Sequence, residues 1–374
     1  MKRAATRARV WDVPVRAVHA TFIVCVAGAW MTRGAELADL HSAFGYSALA
    51  ALALRLAWGF GGPRHARFAS FAYGPGDAIR YLADAFRGSA RHYTGHNPAG
   101  SWGIFLILGL LGGIVASGLV ASGGMHHAGP LAGRIAFPLA DAAFTLHEAL
   151  AWGLLAAVAL HLAGVAWGSF VHRENLALAM ATGRKQVHGG DADDAPARTG
   201  LGAALIAACV GGSIVFLAWH VPREARARAA SEAPLKATLA ASRWGKECGS
   251  CHLAYPPALL PPASWRRMMA EQDRHFGEDL SLSAKAAADL LAGIGGAPPS
   301  WAAWKLASSA HALGDPQRIS TLPAWVEAHR ALPESRYAAP FSAGRHDCEA
   351  CHRDASSGIF HPRMIRSVKP ENIH

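Results

Sequence analysis

Five stretches of the chain approach the roughly 20 consecutive apolar residues that a helix needs to cross a hydrocarbon layer. They run from about Ala17 to Thr32, Ser42 to Phe60, Trp102 to Ala121, Ala142 to Phe170 and Leu201 to Trp219. No other feature limits the fold so strongly, because a segment inside a bilayer must satisfy its own backbone polar groups. The runs are too long and too rich in Ala, Leu and Gly for strands, so five membrane helices are expected. Composition agrees: 52% of the 374 residues are hydrophobic and 17% are charged, against about 25% charged in a soluble domain. Disordered and fibrous chains are excluded. The first run is short and follows MKRAATRAR, as a secretion signal would, but no small-x-small cleavage site follows in GAWMTRGAEL. It reads as a membrane helix.

Basic residues orient the spans. Lys2, Arg3, Arg7, Arg9 and Arg16 precede the first; Arg64, Arg67, Arg80, Arg87 and Arg91 lie between the second and third; Arg173, Arg184, Lys185 and Arg198 lie between the fourth and fifth. The alternate loops hold only Arg33 and Arg134. Under the positive-inside rule the N-terminus is cytoplasmic, and five crossings place everything after Trp219 outside. The net charge of +10 is therefore read as topology, not as a nucleic-acid footprint, and no nucleic-acid partner is expected.

Four of the six cysteines form two identical arrangements, CGSCH (Cys248, Cys251, His252) and CEACH (Cys348, Cys351, His352). Two thiols at this spacing add to the two vinyl groups of a haem, and the next histidine supplies a proximal iron ligand. A zinc ribbon or a redox CxxC pair explains neither the repeated histidine nor the location outside the membrane, where covalent haem attachment takes place in bacteria. Cys25 and Cys209 fall inside spans one and five and read as small buried residues. Distal ligands are open from the residues alone: His275, His311, His329, His346, His361, His374, Met268, Met269 and Met364 are candidates, although His346 and His361 lie too close to CEACH for an easy return of the chain.

The segments CGSCHLAYPPALLPPASWRRMMAEQDRHFGEDLSL, ISTLPAWVEAHRALP and DCEACHRDASSGIF, within about 244 to 362, resemble the dihaem cytochrome c family. That resemblance implies two bis-histidine haems, with His275 as partner of the first and His329 as partner of the second. His361 and His374 are ligand choices beyond the family pattern.

Ionisable residues within spans are expensive and usually functional. His19 lies in span one, His41 opens span two, and His147 and His161 lie in span four. The last two are 14 residues apart, which on one helix is about 21 Å of rise and within about 40° of the same face. Span direction puts His19 and His161 near the cytoplasm and His41 and His147 near the outer surface. Depth thus pairs His19 with His161 and His41 with His147, each pair suited to one non-covalent haem in a helix bundle. The motifs VWDVPVRAVHA, DLHSAFGYSALAALALRLAWGF, RHARFASF, RHYTGHNPAG and HEALAWGLLAAVALHLAGV, within roughly 8 to 185, resemble the bacterial cytochrome b561 family, including the b-type subunits of nickel-iron hydrogenases. The family implies the same pairing and an exchange of electrons with the quinone pool.

Other residues carry weaker signals. Arg55, near the inner end of span two, either snorkels to the surface or pairs with a haem propionate. Arg67, Phe68 and Phe71 read as an interfacial belt. His126 and His127 read as a solvated outer loop, and His96 as an interfacial residue with a quinone site as the alternative. Segment 220 to 243 reads as a helical or semi-flexible tether, and 184 to 200 as a cytoplasmic loop.

The expected architecture is all-α. Residues 1 to 185 form a membrane four-helix bundle binding two b haems, 186 to 243 a cytoplasmic loop, a fifth transmembrane helix and a tether, and 244 to 374 a mostly helical periplasmic dihaem cytochrome c domain. The expected function is electron transfer in a bacterial inner membrane, from quinol through two non-covalent haems b and two covalent haems c to a soluble periplasmic acceptor or haem protein. Two readings stand beside it: reverse flow from a periplasmic, hydrogenase-like donor to quinone, and a haem enzyme or sensor with an open iron site. No Walker loop, dinucleotide fingerprint or nucleophile elbow is present.

Overall fold

The computed structural model describes residues 6–34, 37–187, 199–294, 298–361 and 364–366. Lys2, Arg3, Arg198 and His374, most of the loop at 184 to 200, and the side chains of Arg7 and Cys209 lie outside the described residues. Contacts divide the chain into two units, Met1–Ala121 with Ala142–Val221, and Ser122–Asp141 with Pro222–His374.

The first unit opens with a short strand, β1 (Thr6–Arg9), followed by α1 (Val13–Met31), α2 (Ala38–Gly61), α3 (Pro75–Phe86), α4 (Pro98–Met125), α5 (Phe137–Val171), α6 (Leu176–Thr182) and β2 (Arg184–Val187). The helices α1, α2, α4 and α5 are long and apolar enough to cross a membrane, at 19, 24, 28 and 35 residues. Ile23, Trp152 and Leu160 are 59%, 65% and 72% exposed. Apolar surface on that scale is not left to water by a monomeric soluble protein, whereas in lipid it is solvated. The chain is a membrane protein.

Asp12 starts α1. Its carboxylate accepts from the Val15 N–H as an N-cap and from the Trp58 indole of α2 at 2.8 Å, so one 1%-exposed carboxylate both caps a helix and ties two together. α1 and α2 approach closely because Gly28 has no side chain: a Cβ there would sit 2.4 Å from the Phe44 ring.

β1 pairs antiparallel with β2, Thr6 opposite Val187 and Arg9 opposite Arg184. The sequence reading contained no sheet. Neither strand is apolar, and their pairing follows from tertiary anchors: the Val10 and Trp11 N–H groups donate to the Gly183 carbonyl. Arg16 donates to the Met180 and Ala181 carbonyls at the end of α6, so a residue counted for its charge also satisfies a helix C-terminus. Lys185, also counted as a loop charge, is 5% exposed. Its ammonium donates to the Tyr93 carbonyl and lies 3.5 Å from Glu174.

The last long helix, α7 (Thr199–Ala241), contains both the fifth apolar run and the tether in one 43-residue element. The apolar run from Leu201 to Trp219 lies in the first half of this helix.

The second unit is built from short helices: α8 (Arg243–Cys248), α9 (Pro262–Ala270), α10 (Ala284–Ala292), α11 (Trp301–Ser309), α12 (Pro323–His329) and α13 (Cys348–Cys351). Ser242, Ser283, Ser300 and Asp347 cap α8, α10, α11 and α13 by accepting backbone N–H bonds, which short helices need because few of their donors are bonded internally. The core joins Trp244, Leu260, Trp265, Met268, Leu290, Ala310, Leu322 and Trp325. Met268 and Met269 are each 6% exposed, and Met268 is part of this core cluster.

Candidate functional site

Eight histidines meet in four pairs. In the first unit, the His19 and His161 ring centres are 6.5 Å apart and those of His41 and His147 are 6.0 Å apart. In the second, His252 and His275 are 6.1 Å apart and His329 and His352 are 6.0 Å apart. Two imidazoles bound through nitrogen to one metal atom at about 2 Å each, with ring centres about 1.2 Å behind the nitrogens, have centres roughly 6.3 Å apart. All four pairs fit that spacing.

Among the described residues, no group of three or more His, Cys, Asp or Glu is arranged to hold a bare metal ion. Two axial imidazoles without further protein ligands suit a metal whose equatorial positions are filled by a macrocycle. The residues therefore fit haem and do not form a zinc centre.

Second contacts orient several of the rings. His41 Nδ1 donates to the Ala29 carbonyl and His147 Nδ1 to the Ile114 carbonyl, both at 2.9 Å. His252 Nδ1 donates to the Leu253 carbonyl and His329 Nδ1 to the Trp325 carbonyl, both at 2.8 Å. A carbonyl can only accept, so the proton sits on Nδ1 and leaves the Nε2 lone pair for a metal. Helix geometry makes two of these contacts: Ile114 is on α4, facing α5, and Trp325 is one turn before His329 on α12.

Cys248, Cys251, Cys348 and Cys351 form no disulfide among the described residues, and burial pushes the Cys248 and Cys348 thiols up to about 11. Burial lowers His275 and His329, and burial with the neighbouring His329 lowers His352 to about 4. Neutral imidazole is the ligating form.

Local backbone explains how the distal side of the first pair is made. His275 and Glu278 exchange backbone hydrogen bonds around Phe276 and Gly277, whose φ values are 53° and 107°. This is a tight turn with two positive-φ residues; Gly277 adopts it freely and Phe276 at a steric cost. The turn stands Phe276 against the His275 ring at 5.0 Å. On the second pair, Trp325 stacks on His329 at 4.3 Å and Phe360 meets His352 at 5.3 Å.

The remaining candidates fall elsewhere. His361 lies 5.7 Å from His126, so His126 has a ring partner and is not simply a solvated loop residue. His311 is exposed on a turn. The interfacial-belt reading of Phe71 is corrected: it is 2% exposed, and with Trp11 it encloses His96, at ring distances of 4.3 and 4.5 Å. His96 is thus half-buried between these two rings. Arg55 does not snorkel. It is 7% exposed, donates to the Ala66 carbonyl and lies over the Phe68 ring at 4.6 Å, so it is an internal cation near the C-terminal end of α2.

Sequence reasoning missed the contacts that hold the rings: Tyr255 against His252, Ser117 and Gly118 beside His147, and Trp325. Trp325 was legible as the aromatic one helical turn before His329; Gly118 had no signal of its own, since α4 holds many glycines.

Comparison with known proteins covers both units. Residues 10–183 match the family described as prokaryotic cytochrome b561, and residues 244–360 match the family described as dihaem cytochrome c. Among solved structures, the chain is similar to DHC purified from Rhodobacter sphaeroides, with 34% identity over 31% of this chain and 92% of that one and a TM-score of 0.24. It is also similar to the dihaem cytochrome type c of Shewanella baltica OS155, with 28% identity over 33% and 90% and a TM-score of 0.26. No curated protein matches the chain.

Proposed function

We propose that the chain, whose residues 10–183 match the prokaryotic cytochrome b561 family and whose residues 244–360 match the dihaem cytochrome c family, is a membrane haem protein of electron transfer that carries electrons from the quinol pool to a soluble periplasmic acceptor. The observation behind this reading is the set of four histidine pairs at 6.0 to 6.5 Å. His19 with His161 holds an inner haem b, and His41 with His147 an outer one. Cys248, Cys251 and His252, with His275, hold one haem c. Cys348, Cys351 and His352, with His329, hold the other. Each haem, when bound, supplies a one-electron Fe³⁺/Fe²⁺ couple.

Bis-histidine ligation leaves no open iron position, which favours a carrier over a haem enzyme or sensor. Arg55, an internal cation near the inner end of α2, is placed to meet a propionate of the inner haem. The count of basic residues supports an inner-membrane topology with a cytoplasmic N-terminus, a fifth crossing within α7 and a periplasmic C-terminal domain. The functional division is 1–185, 186–243 and 244–374.

The test is a pyridine haemochrome assay on purified protein followed by reduction with quinol. Two extractable and two covalent haems, with the extractable pair reduced before the covalent pair, is the expected result. Haems that a periplasmic donor reduces but quinol does not would reverse the proposed direction, and the absence of extractable haem would remove the membrane half of the reading.

A further inference from the structure

Tyr255 touches both covalent attachment segments. Its ring lies 5.2 Å from the ring of His252, four residues after Cys251 in the chain. Its hydroxyl donates to the backbone carbonyl of His346, two residues before Cys348. The intervening Asp347 is the N-cap of α13, accepting from the Ala350 N–H and, through its other oxygen, from the Ala343 N–H. A single side chain thus runs from the proximal ligand of one site to the cap that holds the CEACH helix of the other.

Both ends of the residue are fixed. The Tyr255 carbonyl accepts from the Trp244 indole at 2.8 Å, and Trp244 is a core residue packed edge-on against Trp265 at 4.9 Å. The next residue, Pro256, lies against Gly358, where a Cβ would come within 3.0 Å of the proline ring. Gly358 has φ of 73° and its carbonyl accepts from Ser300.

We propose that Tyr255 is the residue that couples the two covalent centres, positioning the CEACH segment against the CGSCH site and giving electrons a route between them made of one ring contact, one hydrogen bond and covalent links. The route runs from the His252 imidazole to the Tyr255 ring, through the O–H···O=C bond to His346, and along two peptide units to Cys348. In each exchange one iron goes from Fe²⁺ to Fe³⁺ and the other from Fe³⁺ to Fe²⁺. Tyr255 keeps its proton and is not itself oxidised. The inference rests on the reading that both CxxCH segments carry haem, and it adds a positioning residue outside the ligand set.

The experiment is Tyr255→Phe in the full-length protein, which keeps the ring and removes only the hydroxyl, with Tyr255→Leu removing both. Three properties are read: covalent haem per chain, the low-spin electron paramagnetic resonance signals of the two c centres, and the rate of electron exchange between them after flash reduction. With two covalent haems retained, Tyr255→Phe is expected to slow exchange severalfold and shift the signal of the CEACH centre while that of the CGSCH centre stays; Tyr255→Leu should slow it further. Selective loss of haem at CEACH also supports the positioning role. Unchanged exchange and unchanged signals with both haems present overturn the inference, as does loss of both haems, which makes the hydroxyl a general folding contact. Absence of covalent haem in the unsubstituted protein would instead strike at the underlying reading.

Discussion

Gly118 of α4 stands directly against His147 of α5: a Cβ built on it would lie 3.1 Å from Cε1 and 3.2 Å from Nδ1 of the imidazole. The same ring is held by the Ile114 carbonyl at 2.9 Å, one helical turn earlier on α4. Gly118→Ala should displace the ring from that carbonyl and lower haem occupancy at the proposed His41–His147 site while the proposed His19–His161 site and the covalent haems persist. Alanine favours a helix over glycine by about 1 kcal/mol, so a loss would run against propensity. Extractable haem per chain checks it.

His275 and His361 answer different questions. His275→Ala should leave the first haem covalently attached through Cys248 and Cys251 but convert it to a high-spin species that binds carbon monoxide. His361→Ala should leave both c centres low-spin. Absorption spectra with and without carbon monoxide separate the outcomes; a high-spin centre in the second variant alone would reassign the distal ligand.

The Asp12 carboxylate joins α1 to α2 through the Trp58 indole. Trp58→Phe removes that donor from a carboxylate that is 1% exposed, leaving a buried acceptor short of a partner. A loss of about 1–3 kcal/mol is expected for an unsatisfied buried group, visible as a lower thermal midpoint in detergent. Asp12→Asn, which keeps the N-cap and one acceptor oxygen, should lose less.

His96 gives a pH dependence. Burial, with Arg55, Lys185, His65 and His161 nearby, pushes its imidazole down to about 3, so the folded chain leaves it neutral where an unfolded chain, near the ordinary 6.5, takes up a proton. Stability from this residue is therefore fully present above about pH 6.5 and is lost as pH falls toward 3, by up to about 1.4 kcal/mol per unit. His96→Phe, a ring of similar size between Trp11 and Phe71, should flatten the acid side of the stability profile, as thermal midpoints from pH 7 to pH 5 will show.

By itself the sequence determined what depends on neighbours along the chain. Apolar run length marks five spans because the bilayer sets a minimum length, and four of them are the long apolar helices α1, α2, α4 and α5; CxxCH marks the attachment points because two thiols and a histidine must lie close together along the chain. Even the rings that meet across the bundle were legible, since position within a span is depth. Tertiary structure decided what depends on chain segments returning from a distance. Met268 and Met269 are core, and His275 and His329, each 23 residues from its partner, reach the CxxCH histidines. Lys185 and Phe71 look like loop and interfacial residues in a linear reading and are internal, because the segments that carry them pack against distant parts of the chain. The same cause hides Tyr255, whose second contact lies 91 residues away, where no periodicity or local motif records it.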